Sequence, residues 1–249
     1  MKADKEKDLN RFNELLADLE DGVGGKRQFS ASTGQDTWPN RGVYFLFEPG
    51  EYRQSTRQRL RVTRVGTHAV SKGAKAKLWT RLRSHKGTTA GAGNHRRSVF
   101  RLHVGEALLN KHKGRFNAPF WGQARSAGPE IRSTELSLAK AVSEYIGKVS
   151  ILWLAIDDIP SKHSDRAYIE RNSIALLSNF NVQIDALSAS WLGDWSSKEA
   201  IRKSGLWNVR HVEEDYDPRF LDVMADYVDI TLGRKPKPEG SIAPIGWHD

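Results

Sequence analysis

A phenol, two guanidiniums, an imidazole and a carboxylate stand at separate places in this chain. Tyr44 lies in Gly42-Val43-Tyr44, Arg64 in Arg64-Val65-Gly66, Arg81 and His85 are four residues apart, and Glu170 lies in Tyr168-Ile169-Glu170-Arg171-Asn172. Hydrolysis of a phosphodiester needs an activated water, cationic stabilisation of a pentavalent phosphate and usually a metal beside the leaving oxygen. The set offers side chains for each of these requirements. Taken singly, each residue also has a plainer reading. Tyr44 on an apolar strand can be a core tyrosine, Arg81 a solvated helix charge, His85 a partner of a helix dipole and Glu170 a member of a buried ion pair.

The charge distribution favours a polyanion. Residues 53–115 hold seventeen Lys or Arg against one acid, Glu106, while the whole chain carries +9, so the remainder is net acidic. A basic block beside an acidic remainder makes a local positive field suited to a phosphate backbone. Within it His95-Arg96-Arg97-Ser98 and Arg101 follow a glycine loop at 87–93, where Arg96, Arg97 and Arg101 could clamp DNA phosphates. His103, His112 and His163 lack a ligand partner and read as structural or exposed.

The chain has 249 residues, 38% hydrophobic and 28% charged, enough for one good core with an added subdomain. Its start is charged, and no apolar run is long enough to span a bilayer, so cytoplasm is the expected location. The absence of Cys excludes disulfides and thiolate zinc sites, leaving oxygen or imidazole ligands for any metal.

Periodicity predicts an α/β alternation around these residues. Leu9, Phe12, Leu15, Leu16 and Leu19 mark an amphipathic helix over 8–21, stopped at Gly22. Gly42 to Phe47 reads as a buried strand, 48–51 as a turn and Leu60 to Gly66 as a second strand, making a hairpin. Helices are expected over 75–85 and 133–146, with helix favoured over strand for 98–109, and Val149 to Ile156 is an apolar strand. Ser164 can cap a further helix on which Ala167, Glu170, Ile174 and Leu177 share one stripe. A carboxylate there is expensive to bury without a partner. Ser196 and Glu199 fit a capping box, Phe220 to Val228 a last helix, and the proline-containing tail after Leu232 an extended or mobile segment. Trp191, Trp195 and Trp207 read as core or subunit interface rather than as a base-stacking platform.

The ordered combination of Gly42-Val43-Tyr44, Arg64-Val65-Gly66, the Arg81/His85 pair and a helical Glu170 resembles the GIY-YIG nuclease superfamily over about residues 42 to 180. Its restriction-endonuclease-like members, in which Arg and His recur at i, i+4, are the most similar. The resemblance implies a small sheet flanked by helices and cleavage of DNA, duplex above all. It implies catalytic roles for Tyr44, Arg64, Arg81, His85 and Glu170, with Glu170 holding a single divalent cation, Mg²⁺ or Mn²⁺. For the family's late Asn, Asn179 is preferred over Asn181. In this arrangement the Tyr44 hydroxyl lies across the sheet from Arg64, and Arg81 and His85 share a helix face. Arg64 departs from the pattern by replacing the tyrosine of the second motif. Because an Arg cannot accept a proton at neutral pH, Tyr44 or His85 is left to activate the water.

The expected organisation is an N-terminal helix and linker over 1–41, a GIY-YIG-like catalytic domain over 42–185, and a Trp-rich helical extension with tail over 186–249. The implied function is a metal-dependent endonuclease of restriction or antiphage defence. Its alternatives are a non-cleaving nucleic-acid-binding protein of the same fold and a structural subunit docking on a partner enzyme. The C-terminal extension is the expected contact for a homodimer or a partner protein.

Overall fold

The computed structural model describes residues 2–56, 58–88, 90–123 and 126–247; Arg57 of the basic block, Thr89 of the glycine loop and the last two residues of the tail lie outside them. Helix α1 (Lys2–Gly22) precedes a short strand β1 (Arg27–Gln28) and the hairpin β2 (Gly42–Tyr52) and β3 (Leu60–Gly66). Helices α2 (Leu78–Lys86), α3 (Val99–Lys111) and α4 (Pro129–Gly147) follow, then β4 (Ser150–Ala155), α5 (Asp165–Leu177), α6 (Glu199–Ser204) and α7 (Phe220–Thr231). The strands form one sheet in the order β1-β4-β2-β3, antiparallel throughout.

The apolar run of β2 follows from burial on both faces. Val43, Phe45 and Phe47 point into a core shared with α1, α5 and α7, whereas Tyr44 and Leu46 point into a second core built on α2, α3 and α4. Alternating side chains of one strand therefore serve two helical layers, and no polar residue interrupts the run. The predicted turn at 48–51 is instead strand: β2 continues through Pro49 to Tyr52, with register shifts between Leu46 and Tyr52 and Gly50 at φ 90°. An irregular ladder tolerates the proline that a regular one would reject.

The C-terminal third belongs to the same cores. Phe12 of α1 lies 5.7 Å from Phe45 of β2, and Trp207 lies 5.9 Å from Phe100 of α3, ring centre to ring centre, so packing crosses both expected boundaries. Trp191 and Trp207 are buried while Trp195 stays 46% exposed. The segment around Trp207 runs along the outer edge of β3. Trp207 N donates to Thr63 O at 2.8 Å, and the Asn208 amide pairs with both backbone groups of Val65, accepting from N at 3.1 Å and donating to O at 2.8 Å. A sheet edge that would otherwise be open is thereby covered. The capping box at Ser196 does not form: Ser196 closes the 3₁₀ turn Leu192–Trp195 and accepts from Lys198 N, and α6 is preceded by Lys198 as N-cap, which makes no side-chain capping bond. Among the described residues no helix is long and apolar enough to cross a membrane.

Candidate active site

Both motif glycines make room for neighbours. The β2–β3 register pairs Tyr44 with Gly66 and Leu46 with Arg64, so Tyr44 faces Gly66 and not Arg64 as expected. Its phenol lies over Gly66, where an added Cβ would collide with the ring and the hydroxyl. At Gly42 an added Cβ would collide with the Leu154 carbonyl of β4. Just beyond β3, the Thr67 hydroxyl donates to Gly42 O at 2.9 Å and ties the two motif ends together.

Tyr44 and His85, the two candidates for activating the water, meet directly. Their Oη and Nε2 atoms are 2.8 Å apart, and His85 Nδ1 lies 2.7 Å from Ser98 Oγ, the N-cap of α3. Both residues are 0% exposed. Burial, with the positive fields of Arg81, Arg64 and Arg101 added, holds the imidazole well below its ordinary value, so His85 is neutral. A neutral imidazole has one donor and one acceptor, and the chain Tyr44–His85–Ser98 satisfies both. Neither the phenol nor the ring reaches the solvent, which separates this pair from any water it was expected to activate.

The remaining three residues open onto one cleft of about 720 Å³, lined by Arg64 of β3, Arg81 of α2 and Glu170 of α5. The Arg64 guanidinium donates to Trp207 O at 2.5 Å and lies 5.3 Å over the Phe100 ring, a fixed mount for a cation. Arg81 is half-buried, with one long contact of 3.4 Å to Arg97 O. Glu170 accepts from Thr67 N at 3.0 Å and makes no ion pair among the described residues. It keeps some accessible surface, yet burial raises its carboxyl above the usual range against the opposing pull of the Thr67 N–H, Arg64, His211 and Arg81. The positive fields of Arg64 and Arg81 act on both the buried His85 imidazole and the Glu170 carboxyl.

Other expected residues are engaged elsewhere. Asn179 closes the turn after α5, donating to Asp185 O at 2.6 Å and accepting from Ile184 N at 3.0 Å, away from the cleft. Arg96 forms a two-armed pair with Glu135 at 2.7 and 2.8 Å. Arg101, 0% exposed, donates to the carbonyls of His85, Lys86 and Ala139. Neither guanidinium is available to a DNA phosphate; both join helices, and only Arg97 of the three is exposed. Arg53 and Arg61 are buried as well, Arg61 against Glu51 at 2.6 Å. His103 pairs with Glu106 at 3.2 Å.

The cleft also contains Asn208 and His211, which the motifs alone do not single out. The His211–Glu214 spacing at i, i+3 is the signal that could have found the histidine. His211 Nδ1 lies 2.8 Å from Glu214 Oε1, and Arg171 Nε donates to the other oxygen of Glu214 at 2.6 Å.

The donor set fits a hard divalent cation. Among the described residues no group of three or more His, Asp or Glu gathers around one point. Mg²⁺ keeps several waters and commonly takes one or two carboxylates plus substrate phosphates, so a single buried carboxylate on a polar cleft suffices. Glu170, which accepts from Thr67 N through one oxygen and lines the cleft, is the residue that could hold such a cation.

No curated protein and no solved structure matches the chain. A family model described as the GIY-YIG domain does match, over residues 3–233, which includes α1, the edge-covering segment at Trp207 and α7 as well as the hairpin. That span takes in β3, α2 and α5, which bring Arg64, Arg81 and Glu170 to the cleft, and the chain belongs to the GIY-YIG domain family, a nuclease-type family whose members act on DNA.

Proposed function

We propose that this protein is a metal-dependent endonuclease that hydrolyses DNA phosphodiester bonds in the cleft between β3, α2 and α5. The observation that carries the reading is the convergence there of Arg64, Arg81 and Glu170 from distant parts of the chain. Arg64, mounted on Trp207 O and Phe100, and Arg81, projecting from α2, offer two fixed cations to the charge that grows on the phosphate. Glu170 would hold the cation, which when bound neutralises charge at the phosphate and assists departure of the leaving oxygen. Tyr44 and His85 position the site: their hydrogen bond pins α2 to β2 and so fixes Arg81 relative to Arg64. The loop before α2 exposes Lys72, Lys75 and Lys77, and with Arg97 these replace Arg96 and Arg101 as contacts for the DNA backbone. The Arg81/His85 pair, shared with restriction-endonuclease-like members, supports a role in restriction or antiphage defence. Incubation of a supercoiled plasmid with the protein in Mg²⁺ and in EDTA tests the activity. Nicking or linearisation in Mg²⁺ alone is expected, and an intact plasmid in both would contradict it.

A further inference from the structure

The nuclease reading leaves the water without a base, because Tyr44 and His85 are sealed behind the cleft. The structure offers one imidazole inside it. His211 lines the same cleft as Glu170, retains 33% of its side-chain surface, and acts electrostatically on the Glu170 carboxylate. Its backbone has φ 63°, the left-handed region that non-glycine residues adopt rarely and that is concentrated at functional sites. The conformation is held from both sides: Asn208 is locked to Val65, and Val212 is buried in the core.

The ring is oriented as a base requires. Nδ1 faces Glu214 Oε1 at 2.8 Å, and Arg171 fixes Glu214 from its other oxygen at 2.6 Å. Burial pushes Glu214 up, but the hydrogen bonds from His211 and Arg171 outweigh it and hold the carboxyl below its ordinary value, so it is ionised and accepts the Nδ1 proton. That fixes the tautomer with a lone pair on Nε2, an atom with no hydrogen-bond partner among the described residues. An imidazole oriented by a carboxylate through Nδ1 is the arrangement that general-base catalysis uses on unrelated folds.

We propose that His211 is the general base of the cleft, with Glu214 and Arg171 as its positioning residues. The inference rests on the nuclease reading. The water oxygen bonds to phosphorus as its proton passes to His211 Nε2. The bond from phosphorus to the leaving sugar oxygen then breaks with its electron pair on that oxygen, which takes a proton from solvent. The imidazolium returns its proton to solvent, so one diester and one water give one monoester and one alcohol.

The test is single-turnover cleavage of a labelled duplex at saturating protein in Mg²⁺, comparing the parent, His211→Asn and Glu214→Gln, each with and without added imidazole. Asn adopts the left-handed conformation readily, so the loop at 211 is retained. His211→Asn is expected to slow cleavage by about 10²- to 10⁴-fold, the range for a lost acid–base group. Added imidazole should restore part of its rate while leaving Glu214→Gln unchanged. A His211→Asn protein that cuts at the parental rate, or a loss that imidazole leaves untouched, would overturn the base assignment alone. A parent that does not cut would instead overturn the nuclease reading on which it rests.

Discussion

The phenol of Tyr44 lies across Gly66, the residue it faces on the neighbouring strand, and reaches past it to His85. A methyl group at position 66 would occupy the space of the ring. Gly66→Ala should therefore destabilise the protein by about 1–3 kcal/mol, the usual cost of overpacking. Gly128→Ala, where an added Cβ meets nothing, should stay within about 0.5 kcal/mol of the parent. Urea denaturation followed by tryptophan fluorescence measures both, and equal midpoints for the two variants would refute the packing argument.

Asn208 supplies the hydrogen bonds that another strand would have given to Val65. Replacing it with Ala leaves two buried backbone groups unpaired, and each such group costs about 1–3 kcal/mol. Amide hydrogen exchange at Val65 is the local readout. Loss of protection there is expected in Asn208→Ala, and retained protection would show that the edge is held by other groups.

Arg96 and Arg97 are neighbours with opposite assignments. Arg96 is paired with Glu135, so Arg96→Glu places two carboxylates together and should lower the melting temperature. Arg97 is exposed, so Arg97→Glu should leave the melting temperature unchanged, weaken duplex binding and reduce the slope of log affinity against log salt by roughly 0.9 for each phosphate that is no longer neutralised. Titrations at several salt concentrations, beside thermal melts, separate the two. The reverse pattern would return Arg96 to the DNA surface.

These neighbours show where sequence is legible and where it is not. The hairpin, the helix carrying Glu170 and the Arg81/His85 pair can be read because periodicity and short spacings determine them locally. Which cations are internal depends on partners far along the chain: Arg96 meets Glu135 across 39 residues, and Arg64 meets Trp207 across 143. The same distance separates Asn208 from Val65, which is why Asn179, closer to Glu170 in sequence, is the asparagine that sequence favours for a place in the site. The candidacy of Tyr44 and His85 is legible, but neither their hydrogen bond across 41 residues nor their complete burial is, because the covering residues arrive from α3 and from Trp207.

Glu170 carries a pH signature. Burial raises its carboxyl above the ordinary 4.5, so the folded protein binds this proton more readily than the unfolded chain does. Its ionisation therefore opposes folding increasingly as pH rises from the unfolded value through the raised folded one. Glu170→Gln should be more stable than the parent at neutral pH, with the difference shrinking below the ordinary value of 4.5. Mg²⁺ should raise the melting temperature of the parent and not that of Glu170→Gln, since only the parent offers the ligand. Equal stabilisation of both by Mg²⁺ would place the cation elsewhere.

The claim that one cleft both grips the phosphate and carries out the chemistry is tested most directly by the single-turnover rate of duplex cleavage in Mg²⁺ by folded Arg81→Ala at saturating protein. Saturation keeps weakened binding from masquerading as weakened chemistry. Loss of one donor to the developing charge should lower the rate by about two to three orders of magnitude. Cleavage by Arg81→Ala at the parental rate would mean that the cations lining the cleft are scaffold and that the reaction takes place elsewhere.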